Sequence, residues 1–433
     1  MILTIVLAIL AIVLMFICIL LCPTLKTKSF TIDTFYLPIL LVAIILLITP
    51  AFNKSEYFKI LFSNSTLNPF KILVLFICVS LISICLDETG FFSYIASIFI
   101  NKYKSSQFKL FFVLYLLISI LTIFTSNDIV ILTFTPFILY FSKKGNINPI
   151  PYLVMEFVAA NTYSMILSIG NPTNIYLATV FNIPFLTYFI HMILPAILTG
   201  FATLVVLYLL FKKELKNPID VFDMSKPSIK NKALCIICGI HLGLTTILLA
   251  ISNYINLEMW IICLIFATSL LLFLIIYSLK VKSFNFIKSS LRRVPYSLIP
   301  FILSMFTIIM ALDSYNVFDK IYNFFSTITN KSTEPILYLW SSTIACNLLN
   351  NIPMTLAYGS ILSNTENIKL IYATIIGSNI GAMLTPVGAL AGIMWLRILK
   401  INEVKYNFID FMKNGVILTF FALIASTIAI LFI

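Results

Sequence analysis

The sequence predicts an all-α, polytopic membrane protein: about ten transmembrane helices plus two re-entrant hairpins, arranged as an inverted repeat. Three observations predict it. Hydrophobic residues make up 61% of the 433 and charged residues 10%, with a mean hydropathy of +1.07. That is too little charge to coat a water-soluble surface. Apolar runs of about 20 residues, enough to cross a bilayer, recur from end to end. Four of the apolar segments carry a polar break near their centre.

The elements follow in order. Residues 1–34 form an N-terminal span (2–22) and a loop; no basic leader or small-residue cleavage site marks a signal peptide. A first repeat covers 35–211, with spans at 35–52, 70–86 and 185–211, a hairpin at 107–142 and a broken helix at 149–180. A basic loop and a linking span (232–252) fill 212–255. The second repeat, 256–433, has spans at 256–279, 295–312 and 412–432, a hairpin at 334–361 and a broken helix at 369–397. The hairpins are inferred from Thr125-Ser126-Asn127-Asp128 and Asn347-Leu348-Leu349-Asn350-Asn351 at their centres. Unwound backbone at membrane depth survives only where protein or water covers it.

The formal net charge of +12 is distributed as short basic clusters between apolar spans. That is the positive-inside pattern of cytoplasmic loops, not a nucleic-acid surface. Lys26 and Lys28, Lys102 to Lys109, Lys143-Lys144, Lys212 to Lys216, Lys226 to Lys232, Lys280 to Arg293 and Arg397 to Lys405 then share one side. Lys109 and Lys143 bracket the first hairpin, so it enters from the cytoplasm and the second from outside. Leu86-Asp87 with Phe92, Ile95 and Phe99 has the spacing of Leu312-Asp313 with Phe318, Ile321 and Phe325. The two units start in opposite directions, as in transporters with a midplane site.

The polar breaks carry the chemistry. They are Ser126-Asn127-Asp128, Asn350-Asn351-Ile352-Pro353, Ser168 to Asn174, and Thr385-Pro386-Val387-Gly388 with Ser378-Asn379 just before it. In each, Asn, Asp or Thr precedes a new apolar helix, and in three a proline follows one or two residues later. Four helix N-termini with free amide donors favour an anionic or strongly polar solute. Amide oxygens of Asn127, Asn174, Asn350 and Asn379 are suited to holding Na+. Asp128 is the one acid placed near the bilayer centre, a candidate for proton uptake or cation binding or else a helix N-cap. Asp87, Glu88 and Asp313 fall at span ends, where interfacial solvation accounts for them, and Glu156 is close enough to a cytoplasmic end to reach water. His191 and His241 read as packing residues near span ends. Cys235-x-x-Cys238 reads as packing within a span, with no second pair to complete a zinc site. No GxxxxGK[ST], HExxH or GxSxG occurs, so neither an ATP-driven pump nor an enzyme is expected, and no cofactor beyond a coupling Na+ or H+. No Lys or Arg lies in the four motifs, which tilts the expected solute toward a neutral or cationic one.

At these motifs the chain resembles the ion-transporter superfamily. The resemblance is carried by Ser126-Asn127-Asp128 with Thr135-Pro136, Ile169 to Asn174, Asn347 to Pro353, and Gly377-Ser378-Asn379 through Thr385 to Leu390 and Trp395-Leu396. Within the superfamily it is similar to the arsenite/antimonite efflux permeases, whose relatives include citrate and dicarboxylate carriers and Na+/H+ antiporters. Ile380 stands where the permeases tend to carry an acid, and Ile169 to Asn174 looks more like a general anion-permease pattern. The resemblance implies alternating access, export of arsenite or antimonite coupled to protons or the membrane potential, and a multi-pass cell-membrane location. A citrate or dicarboxylate carrier coupled to Na+ or H+, or a Na+/H+ antiporter, is the alternative. Its binding residues would be Asn127, Asp128, Asn171, Thr173, Asn350, Asn351, Asn379 and Thr385, beside Ser126, Asn174 and Ser378 from the breaks themselves. The expected partners are the lipid bilayer and a small inorganic or organic ion, with a second copy of the chain and an ATPase subunit as further candidates.

Overall fold

Apolar runs bounded by Asn, Ser or Pro fold as helices, and the boundary residues fix where each begins. Asn68 accepts from the Phe70 amide before Pro69, Asn231 from Leu234, and Asn407 forms a capping box with Asp410. The structure, a computed structural model, describes residues 1–26, 31–49, 54–63, 68–220, 229–252 and 254–433. Lys28, Lys226 and the end of the span expected at 35–52 lie outside the described residues.

The first half runs α1 (Ile2–Leu21), a short antiparallel ribbon of β1 (Thr24–Lys26) and β2 (Thr31–Asp33), α2 (Leu37–Ile48), α3 (Lys54–Phe62), α4 (Pro69–Glu88) and α5 (Phe91–Tyr103). A helical hairpin follows, α6 (Gln107–Phe124) and α7 (Asn127–Lys144). Then comes a helix broken into α8 (Ile150–Tyr163), a 3₁₀ turn (Ser168–Gly170) and α9 (Pro172–Val180), and finally α10 (Phe185–Phe211). The second half repeats the order: α11 (Lys232–Ala250), α12 (Met259–Val281), α13 (Asn285–Arg293), α14 (Leu298–Asp313) and α15 (Val317–Ile328). Its hairpin is α16 (Glu334–Leu349) and α17 (Asn351–Ile361), and its broken helix is α18 (Ile368–Gly381), a 3₁₀ turn (Pro386–Gly388) and α19 (Leu390–Ile401). α20 (Phe408–Ile430) ends the chain's helices. Among the described residues, eight helical stretches are long and apolar enough to cross a membrane. One of them is α6, so this hairpin arm alone has the length of a span.

Helix contacts recur with the order. α6 packs on α8 and α16 on α18; α7 packs on α19, and α17 on α9. α2 lies on α14 of the other half, and α12 lies on α4. α1 and α11 join the same pattern, each packing on the helix that follows it and on α14 or α4. The long helices α10 and α20 pair with each other, joined by a hydrogen bond between Thr199 and Ser426. Gly90 (φ 85) and Asn316 (φ 54) take left-handed backbone at matching places, turning the chain from α4 into α5 and from α14 into α15.

One approach is unusually close. A Cβ on Gly377 would lie 2.0 Å from Ser342 Oγ, and one on Gly381 would lie 2.7 Å from Cys346 Cβ. These glycines therefore let α18 lie directly on α16. Their counterparts in α8, by position before the 3₁₀ turn, are Ala159 and Tyr163.

Candidate functional site

The two broken helices meet at their breaks. Asn171 caps α9, its side chain accepting from the Thr173 amide at 3.3 Å, and Pro172 follows as the first helical residue. Across the halves, Asn171 Nδ2 donates to Asn379 Oδ1 (3.1 Å), and Asn379 Nδ2 donates to Asn174 Oδ1 (2.7 Å). Ser164 Oγ also donates to Asn379 Oδ1 (3.1 Å), and Ser378 Oγ contacts Thr173 Oγ1 (3.1 Å). All of these residues are buried. In a dry interior each such group must find a partner, so this crossing ties residues more than 200 positions apart into one network.

The hairpin tips flank the crossing differently. In the first hairpin Ser126 occupies the N-cap position of α7, without a side-chain cap bond. Asn127 Nδ2 donates to Asn161 Oδ1 at 3.0 Å, leaving the buried Asn127 Oδ1 without a donor. Asp128 lies in the first turn of α7, so it is not the N-cap, and it makes no hydrogen bond or ion pair among the described residues. In the second hairpin Asn350 caps α17 with φ 75, a backbone state that costs about 1–3 kcal/mol. Its side chain holds that turn, accepting from Ile352 N (3.4 Å) and donating to Val387 O (3.0 Å). The next residue, Asn351, has a buried Oδ1 with no donor. Ser168 Oγ is a third buried oxygen without a partner.

Thr385 departs from its expected role. It precedes the 3₁₀ turn, and α19 starts only after Ala389. The Thr385 hydroxyl instead donates to Asn347 Oδ1 at 2.6 Å, fastening the second break to hairpin arm α16.

A cavity of ≈ 500 Å³ reaches the first hairpin tip, lined by Ser126, Asp128, Leu132, Asp33, Arg292 and Arg293 among others. The absence of basic residues from the motifs therefore does not extend to the mouth of this cavity. α13 packs on α4 and carries both arginines there, a juxtaposition that motif spacing does not encode. Arg293 pairs with Asp87 (2.5 Å) and Glu88 (3.4 Å), and Asp87 also accepts from Thr133 of α7 at 2.8 Å. Lys230 pairs with Glu88 at 3.3 Å. Asp87 is thus a buried, paired acid and not one left to interfacial solvation.

Two residues stand out only in three dimensions. Asn161 sits as far before its 3₁₀ turn as Asn379 does before the second, and both donate to the carbonyl one turn back, Phe157 and Ile375, at 2.8 Å. That shared register is the signal by which alignment of the halves finds it. Glu156 does not reach water: it is 0% exposed, beneath Thr135 of α7. His241 and His191 each bond a carbonyl of their own helix, at Ile237 and Thr187, and His191 stacks on Tyr372. Cys235 and Cys238 are buried free thiols, and no group of three metal-ligating side chains occurs among the described residues.

Comparison with known proteins adds sequence kinship to this geometry. Residues 1–370 match the family described as "Citrate transporter" (CitMHS). An "Arsenical pump membrane protein" of Escherichia coli is 26% identical over 366 residues, covering 79% of this chain and 82% of that protein. A "46 kDa membrane protein" of Mycobacterium leprae is 23% identical, covering 87% and 89%. Among solved structures, the YdaH transporter of Alcanivorax borkumensis shares the fold, with TM-score 0.58 and 14% identity across 99% of this chain and 97% of that one.

Proposed function

The chain belongs to the citrate transporter family, and from that premise we propose a secondary active transporter that exports arsenite or antimonite, driven by protons or the membrane potential. The family places it in a membrane as a multi-pass transporter of small ions. The substrate reading rests on one observation above all: both hairpin tips present a buried amide oxygen, at Asn127 and Asn351, that lacks a donor. Arsenite at neutral pH is an uncharged trihydroxide, a set of O–H donors with no charge to neutralise. Unfilled acceptors beside an uncharged Asn/Ser/Thr crossing suit it.

In this reading the two halves are opposed repeats, and each hairpin enters the membrane from one side without crossing it. The exchange of α2 and α12 between halves supports the first statement. The lysines flanking the first hairpin support the second. A second copy of the chain or an ATPase subunit would appear as excess mass in the detergent-solubilised particle.

A carboxylate solute is the second reading, favoured by Arg292 and Arg293 on the cavity that leads to Asp128. Uptake of arsenite and of succinate into everted vesicles, each with and without an imposed proton gradient, separates the two. Gradient-dependent arsenite accumulation is expected. Succinate flux with no arsenite signal would reassign the protein to carboxylates. Asp128→Asn should weaken the apparent affinity for the solute about five- to tenfold with little loss of folded protein, because Asp128 faces the cavity unbonded.

A further inference from the structure

We propose that Glu156 is the residue that carries the coupling proton, an assignment that rests on the transporter reading above. Glu156 lies in α8 with 0% exposure. Thr135 Oγ1 lies 3.1 Å from each carboxyl oxygen and 2.7 Å from the Ile131 carbonyl. A hydroxyl owns one proton. With that proton directed to the Ile131 carbonyl, at the shorter distance, Thr135 Oγ1 is left as an acceptor to which a protonated Glu156 donates. The Trp395 indole of α19 packs on Phe157, the residue after Glu156, and its buried N–H makes no hydrogen bond.

The charged neighbours give no alternative means of neutralising it. No ion pair involves Glu156 among the described residues. On α7, Lys143 and Lys144 are exposed, two turns or more beyond Thr135, and Asp128 lies two turns the other way. On α19, Arg397 and Lys400 are exposed. Tyr406 packs against Trp395 and accepts from Asn414. On α6, Lys109 is exposed and Gln107 accepts from Tyr152. α10 offers His191 and Tyr188, and α18 offers Lys369 and Tyr372. On α20, Asp410 caps its own helix and pairs with Lys413. A lone ionised carboxyl at such a place is costly.

The site also lies where the two halves meet. Thr135 belongs to the first hairpin, Glu156 to the first broken helix and Trp395 to the second. Pro136, next to Thr135, lacks the amide that would bind the Leu132 carbonyl, and Leu132 lines the cavity at the hairpin tip. A shift of α7 at this proline would separate Thr135 from Glu156 and admit water. The proton then leaves the Glu156 O–H bond for water on one face and is regained from water on the other. No other covalent bond forms or breaks.

The test combines two readouts on the full-length protein in liposomes. Infrared spectra of protein carrying 13C-labelled glutamate should contain a protonated-carboxyl C=O band at pH 7 that Glu156→Gln removes and Glu156→Asp returns unlabelled. Absence of the labelled band overturns the assignment whatever the protein transports. In everted vesicles given arsenite and succinate as parallel probes, Glu156→Gln should cut gradient-driven accumulation at least about tenfold more than solute exchange without a gradient. Equal losses of accumulation and exchange in both Glu156→Gln and Glu156→Asp would mean a packing role and overturn it too. If the wild type moves neither probe, the substrate reading fails, while the infrared result still decides Glu156.

Discussion

Asn161 and Asn379 occupy the same register position in the two broken helices and make the same bond to the carbonyl one turn back. Their outer partners differ. The Asn161 side-chain oxygen accepts from Asn127 at the tip of its own hairpin, whereas the Asn379 side chain bonds Asn171, Asn174 and Ser164 of the opposite half. Acid chemistry is divided just as unevenly. Asp128 and Glu156 lie in the first half, and the matching positions in the second hold Ile352 and Thr374. Equivalent backbone geometry thus holds a neutral keystone in one half and the ionisable groups in the other. The same frame recurs, and the side chains placed on it differ between the halves.

The sharpest way to break this comparison is to truncate both asparagines. Asn379→Ala strands Asn171 Nδ2 and leaves Asn174 Oδ1 only a long contact from Thr173, while Ser164 keeps the Asn161 carbonyl. The loss is about 1–3 kcal/mol for each weakened group, a large part of a marginal stability. The monodisperse fraction in detergent should collapse. Asn161→Ala strands the Asn127 amide alone, at about 1–3 kcal/mol, and should leave a folded protein with a lower thermal midpoint. Equal losses would show that the crossing is not asymmetric.

The two ends of α4 offer a gentler contrast. At its end, Arg293→Ala leaves the buried Asp87 with Thr133 as its remaining side-chain partner, a loss of about 1–2 kcal/mol after allowing for the partly exposed arginine. Thermal unfolding in detergent should show it, together with a wider opening to the cavity. At its start, Lys71 pairs with Glu258 at 2.6 Å. Burial would raise the Glu258 carboxyl, but hydrogen bonds from Lys71 and Trp260 hold it below its ordinary value. Its contribution is present above the unfolded carboxyl value of about 4.3 and is lost as pH falls through the lower folded value. With the glutamate half exposed it should be under about 1 kcal/mol. The thermal midpoints of wild type and Glu258→Gln should therefore differ slightly at neutral pH and converge in acid.

Much of this architecture is legible in the chain because its signals are local. Apolar length, the paired Leu-Asp motifs and the Asn-Pro breaks mark spans, register and interruptions without knowledge of what packs on them. Boundaries depend on caps, which is why α9 begins where Asn171-Pro172 says and α19 begins beyond Thr385-Pro386, whose threonine is taken by Asn347. Asn161 is found only by aligning the halves, and Glu156 and the arginines at the cavity mouth were not legible. Their meaning comes from neighbours on other elements, and a carboxyl near a helix end reads as solvated until a second helix is laid over it. The short ribbon β1–β2 falls in a stretch expected only as a loop, since three-residue strands leave no periodicity to read.

The glycine seat between α16 and α18 has a mechanical consequence. With Gly377 and Gly381 pressed against Ser342 and Cys346, the first arm of the second hairpin and its broken helix have no room to slide and should move as one stiff body. Ala159 and Tyr163 give the first hairpin no such clasp. Compliance would then be concentrated beside Asp128 and Glu156, and amide hydrogens of α6 and α7 should exchange with deuterium sooner than those of α16 and α18. A chain built from two like halves would work as a lever with one fixed arm and one that yields.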